Sequence, residues 1–284
     1  TRLGIPVLYG IDAIHGATYT KGATLFPQAI SMAATWNTEI AKQSGEITSL
    51  ETKASGIAWN YYPVMDIGRQ PLWSRLWETF GEDVYLASQM GSSYIKGAQG
   101  DDMSAPNKLA TCLKHYVGYS FPINGLDRTP AWISERMMRE YFLPTFEAGI
   151  LAGSPSVMVN SAEVDGIPGH ANYHLLTEVL RNELNFKGLV VSDWEDIKRL
   201  HTRDGVASTP KEAVRISVMA GVDMSMVPYD FSFYNYLLEL VNEGSVPMWR
   251  IDEAVSRILA VKMQVGLFDN PYPNKELLQD FAKD

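Results

Sequence analysis

Apolar residues along this chain fall into two alternating patterns. Short continuous runs, rich in β-branched residues, end abruptly at charged or polar positions. Between them lie longer stretches with apolar residues at helical spacing. The short runs are 5–11 (IPVLYGI), 57–67 (IAWNYYPVMDI), 109–117 (LATCLKHYV), 156–162 (SVMVNSA), 188–191 (GLVV) and 221–227 (GVDMSMV). Continuous apolar runs of this length suit strands buried on both faces of a parallel sheet. The helical stretches are 27–35, 38–56, 83–100, 134–153, 172–185, 209–220, 231–243 and 248–265, several opened by capping residues such as Asn37 or Thr38 and Ser134. Strands alternating with helices predict βα units. A closed parallel barrel takes about eight strands, so the six read here predict an α/β fold of the TIM (β/α)8 type, incomplete at its N-terminal side. Residues 1–268 form the expected barrel domain. Residues 269–284, with two prolines and many charges, read as the start of a linker. Thr1 is not an initiator methionine, and the start is expected to be trimmed or cut from something longer.

The stretch 187–199 (KGLVVSDWEDIKR) organises the rest. A buried strand stops at Ser192-Asp193-Trp194, and the C-terminal ends of parallel strands are where barrel enzymes keep their chemistry. The simpler reading is that Ser192 or Asp193 caps the following helix. Other runs end in a similar way: Asp12, Asp66, Lys114 with His115, Ser161 with Glu163, and Asp223. Arg75 and Glu78 lie in a long loop, 68–83, after the second run. In a parallel barrel these converge on one face. Asp66 and Asp223 are expected to cap helices or to pair with a neighbouring arginine, and His15 has an equal claim as an ordinary loop histidine. Lys114, at the mouth of a buried strand, requires an anionic or polyhydroxyl partner.

The net charge of −9 and the lack of basic runs argue against nucleic acid and anionic membranes as partners. No apolar run reaches the ~18 residues of a membrane-spanning helix. Cys112 is the only cysteine, which rules out a disulfide framework and a thiolate metal site. Phosphate-cradling, zinc-protease and nucleophile-elbow motifs are absent, and no metal or cofactor is implied. Seven Trp and fourteen Tyr, beside converging Asp, Arg, Lys and His, suit a neutral polyol. Charged groups bond strongly to hydroxyls, and a carboxylate at the centre can attack an anomeric carbon.

Five segments, in order, carry a family resemblance: YGIDAIHG (9–16), FPQAISMAATWN (26–37), PLWSRLWETFGEDVYL (71–86), LKHYVGY (113–119) and GLVVSDWEDI (188–197). On these the chain resembles the N-terminal barrel domain of glycoside hydrolase family 3, of the β-glucosidase and exo-glucanase type. The resemblance implies Asp193 as the covalent nucleophile. It implies Asp12, Arg75, Lys114 and His115 as sugar-binding residues, with Trp194 packing nearby, Arg199 contacting sugar and Met158 near the pocket. A tyrosine that supports the nucleophile in some relatives is replaced here by Asn160 or Ser161, which shifts that role toward Glu163.

The resemblance further implies a small β-glucoside or oligosaccharide substrate, and a periplasmic or secreted location. The general acid/base of this branch is a Glu on a C-terminal α/β-sandwich domain, outside this chain. A related single-domain branch uses a histidine in the loop after the KH motif. Here that loop, GYSFPINGLDRTP, has none. As a carboxylate among Lys and Arg, Asp193 is expected to stay ionised at neutral pH. Two other readings fit the same residues: a sugar-binding barrel without catalysis, and a Schiff-base lyase using Lys114.

Overall fold

The computed structural model describes residues 2–282. Its centre is a parallel sheet in the order β1 (Gly10–Ile11), β2 (Trp59–Asn60), β3 (Ala110–Tyr116), β4 (Ser156–Val159) and β7 (Leu189–Val191). A two-stranded antiparallel hairpin, β5 (Glu163–Val164) and β6 (Ile167–Pro168), follows β4. This is the open, incomplete α/β barrel that the run pattern predicts.

The sixth run, 221–227, is not a full strand. It contributes a single parallel bridge, Val191 to Met224. The first run also shrinks to two residues. Both lie beside the barrel's open side, where a neighbour to complete the ladder is lacking and apolar character alone makes no strand.

Around the sheet lie α1 (Ala29–Ala33), α2 (Thr38–Ala54), α3 (Val84–Gln99), α4 (Glu135–Met137), α5 (Leu143–Leu151), α6 (Asp196–Thr202), α7 (Pro210–Ala220), α8 (Ser232–Asn242) and α9 (Met248–Gln264). The predicted helix 134–153 is interrupted by a wider turn at Met138–Phe142, and His174–Glu183 is wound in the same wide manner. Side chains of Asn37, Asp83, Ser134 and Thr209 accept backbone N–H bonds at the starts of α2, α3, α4 and α7. The segment Lys275–Asp280 forms a short 3₁₀ turn.

Period-two alternation sorts the strand side chains onto two faces. Leu109, Leu113, Val157, Val159 and Val190 pack outward against the helices. Trp59, Ala110, Cys112, Met158, Leu189 and Val191 cluster on the other face, joined there by Val261 and Val265 from and just beyond α9. Helix α9 thus lies against the open side, where Lys262 Nζ also donates to Pro6 O at 2.8 Å. Alternation fails once, usefully. The β3–β4 register shifts between Leu113 and Tyr116, and two successive residues, Lys114 and His115, both line one cavity.

Asp223 pairs with arginine, as expected, but with three of them. Its Oδ2 accepts from Arg181 Nη2 at 2.7 Å and from Val190 N at 3.0 Å. Its Oδ1 accepts from Arg250 Nη2 and Arg257 Nη1, both at 2.9 Å. This ties α9 and the His174–Glu183 segment to β7 through a carboxylate with no solvent exposure. Removing it strands buried guanidinium groups. Asp223→Ala is expected to cost about 3–5 kcal/mol, read as a lower urea midpoint at unchanged slope.

Candidate active site

A cavity of about 230 Å³ opens at the C-terminal ends of the strands. Its wall includes Asp12 after β1, Arg75 and Glu78 from the loop after β2, and Lys114 and His115 from β3. Arg128 enters from the loop after β3, Met158 from β4, and Asp193 and Trp194 from the end of β7. Ile14 and Met226 complete it.

The charges here are largely paired in advance. Arg75 grips Glu78 with two parallel bonds of 2.7 and 2.8 Å. Lys114 Nζ donates to Asp12 Oδ1, so the amine is held as a charge-assisted donor. That engagement disfavours the Schiff-base reading, which needs a free amine. His115 is buried, and desolvation together with Arg75, Lys114 and Arg128 holds its pKa well below the usual histidine range. Its Nδ1 and its backbone N both lie 2.8 Å from Asp66 Oδ2. Asp66 therefore neither caps a helix nor pairs with arginine. Burial pushes its carboxyl up to about 7. With Nδ1 engaged, Nε2 is the ring nitrogen left for a ligand.

Asp193 is held from several sides. Its Oδ1 accepts from the Trp194 backbone N–H at 2.5 Å, while the buried Oδ2 has no hydrogen-bond partner among the described residues. Its own N–H donates to His170 Nε2 at 3.1 Å, in the turn after β6. Burial pushes the His170 pKa down to about 4, so the ring is neutral with its proton on Nδ1. Ser192 Oγ donates to Asp193 O at 2.9 Å and accepts from Met226 N at 2.8 Å. Neither Ser192 nor Asp193 caps α6. The chain turns instead at Glu195, with φ of 61°.

Neighbouring cations do not hold Asp193 in the ordinary carboxylate range. Desolvation raises its pKa first, and Asp196 raises it further. Arg128, the Trp194 N–H and Arg75 oppose this without cancelling it. Asp196, fully buried in its side chain, is raised by burial in the same way.

The sequence model for the "Glycosyl hydrolase family 3 N terminal domain" matches residues 1–261. The chain belongs to this family. It is 51% identical over 277 residues to a protein named lysosomal beta glucosidase from Dictyostelium discoideum, covering 95% of this chain and 34% of that one. It is 35% identical over 272 residues to a periplasmic beta-glucosidase of Salmonella typhimurium, covering 96% of this chain and 34% of the relative. Among solved structures, a β-glucosidase from Listeria innocua superposes with a TM-score of 0.94 at 34% identity, covering 100% of this chain and 39% of that one. The chain thus spans between a third and two fifths of the length of these family 3 relatives.

Of the residues singled out in the sequence, Asp12, Arg75, Lys114, His115, Met158, Asp193 and Trp194 meet at the cavity. Glu163 and Arg199 do not line it. Glu163 sits in β5, where its carbonyl accepts from Ala131 N at 3.0 Å. Arg199 Nη1 donates to Asp196 Oδ1 at 2.9 Å. His15 is a loop histidine whose Nδ1 lies 3.1 Å from Phe26 O.

Sequence reasoning did not find Arg128, His170 or Asp196. Asp196 had a usable signal: it stands three residues beyond Asp193 in SDWED, close enough to act on it electrostatically. Arg128 and His170 are single polar residues in irregular segments, and no periodicity marks them.

Loss of the His170 imidazole has a pH signature. The destabilisation caused by His170→Gln is expected to be largest above pH 6.5 and to shrink toward about pH 4. In that window the unfolded histidine takes up a proton that the buried ring refuses, so the stability it contributes in the folded protein is lost on acidification. Urea unfolding of both proteins across this range measures it. A deficit independent of pH would refute the neutral, accepting imidazole.

Proposed function

We propose that this chain is the nucleophile-bearing barrel of a retaining glycoside hydrolase of β-glucosidase type, acting on terminal β-linked glucosyl units. One observation carries the reading. Asp193 lies at the end of β7 in the wall of a sugar-sized cavity, with one oxygen fixed by a backbone N–H and the other without a partner among the described residues. The names of the relatives support a glycosidase.

In the proposed reaction an Asp193 oxygen attacks the anomeric carbon as the bond to the leaving oxygen breaks. This forms a glycosyl ester. Water then adds to the same carbon, giving its proton to the acid/base that protonated the leaving oxygen, and the carboxylate departs. Asp12, Glu78, Lys114, Arg75 and His115 present acceptors and charged donors to the ring hydroxyls, and the half-exposed Trp194 indole offers a face to the sugar's C–H edge.

Asp12 and Glu78 have oxygens committed to Lys114 and Arg75. The family resemblance implies that the proton for the leaving group comes from a carboxyl outside this chain, on a second α/β-sandwich domain following the segment from Asp269. Without it, ordinary glycosides are expected to react about 10²–10⁴-fold more slowly. No helix among the described residues is long and apolar enough to cross a membrane. The name of the periplasmic relative supports a periplasmic or secreted location.

A 2-deoxy-2-fluoro-β-glucoside with a dinitrophenyl leaving group needs no acid catalyst, and tests Asp193 directly. Intact mass is expected to rise by one fluoroglucosyl group, mapped to the peptide carrying Asp193 and absent in Asp193→Asn. Because only the ionised carboxylate attacks, the trapping rate is expected to fall on acidification, with a midpoint above the ordinary 3.8 of an aspartate. A folded protein that binds glucose but never forms the adduct would support the non-catalytic sugar-binding reading instead.

A further inference from the structure

We propose that Arg128, rather than Arg199, is the guanidinium that contacts bound substrate, reading ring hydroxyl oxygens from the loop between β3 and α4. The inference rests on the glucoside reading above and adds a specificity-determining residue to it. Three cations and three carboxylates line the cavity beside His115. Arg75 is taken by Glu78, and Lys114 by Asp12. That leaves Arg128 with Asp193.

Arg128 has no carboxylate at hydrogen-bonding distance among the described residues. Asp127 Oδ2 lies 3.7 Å from its Nε, and Asp196 Oδ2 lies 3.8 Å from its Nη1. Nη1 donates to Ser161 Oγ, which in turn donates to Asp196 Oδ2. A guanidinium carries about five N–H donors in a planar fork, and this one, a third exposed at 33%, keeps the remainder for a ligand.

The group is also held in place. Asp127, its neighbour, accepts from Trp73 Nε1 at 3.0 Å and Tyr119 OH at 2.7 Å. The backbone at Arg128 is left-handed, with φ of 58°. Ile123 N donates to Pro130 O at 2.9 Å across the loop's base, and the Glu163 carbonyl accepts from Ala131 N. A fork fixed this way loses little freedom on binding a pair of hydroxyls. Arg199 has the opposite situation. It donates to Asp196, which Arg203 also approaches at 3.4 Å, and it does not reach the cavity wall. The small Ser161 side chain leaves room for Arg128 beside the nucleophile.

Calorimetric titration with methyl β-D-glucopyranoside and its monodeoxy analogues tests this on the wild type, Arg128→Gln, Arg128→Lys and Arg199→Gln. Circular dichroism confirms that each is folded. Arg128→Gln is expected to weaken glucoside binding about tenfold or more, the scale of a lost bond to a charged donor. Arg199→Gln is expected to do less, and Arg128→Lys to recover part of the loss. The decisive result is a coupling: the Arg128→Gln deficit should vanish for the one deoxy analogue that lacks the hydroxyl Arg128 reads.

An equal deficit with every analogue would mean that Arg128 only supports the wall, and would overturn the proposal. So would a variant that binds like the wild type, while leaving the glucoside reading intact. A wild type that binds none of these sugars would overturn both.

Discussion

Asp193 is a carboxylate taken out of water, and much of the surrounding structure serves to make that tolerable. A buried charge without partners is costly. Here the Trp194 N–H and the guanidinium groups of Arg128 and Arg75 share the load from three separate segments. The compensation is incomplete, as the raised pKa shows. For the nucleophile role proposed for Asp193, over-stabilisation would be a cost, since each bond that lowers its pKa also lowers its reactivity. An oxygen without a partner among the described residues is consistent with that compromise.

The same constraint explains the paired cavity. Lys114 and Glu78 are each almost wholly buried, and each meets an opposite charge across the cavity or from the same loop. Pairing in advance lets the wall hold many charged donors and acceptors in fixed positions without a net field that would favour an ionic ligand. A polyhydroxyl ligand can exploit such a wall, because each hydroxyl both donates and accepts. Below the cavity, Asp223 and its three arginines apply the same rule to a structural task, locking α9 against the open side of the sheet.

The residues legible in the sequence were those whose position follows from the strand pattern. Asp12, Lys114, His115 and Asp193 stand on or just beyond apolar runs, and parallel ladders bring such positions to one side of the sheet, while Met158 was implied by the family resemblance alone. The resemblance added the function, and its five segments span most of the chain. Glu163 and Arg199 show where a motif-based assignment ends. Glu163 turns into the β5–β6 hairpin, a feature with no hydrophobic signature, and Arg199 is captured by Asp196 one helical turn away.

By itself the sequence determined the βα order, the placement of charged residues at strand ends and the family, because each depends on spacing along the chain. Tertiary structure decided what depends on distance between segments remote in sequence. Arg128 and Ser161 meet across 33 residues, and His170 reaches Asp193 across 23. The raised pKa of Asp193 and the lowered one of His170 belong to the same class. Burial sets it, and burial is a property of the whole packed domain rather than of any local stretch.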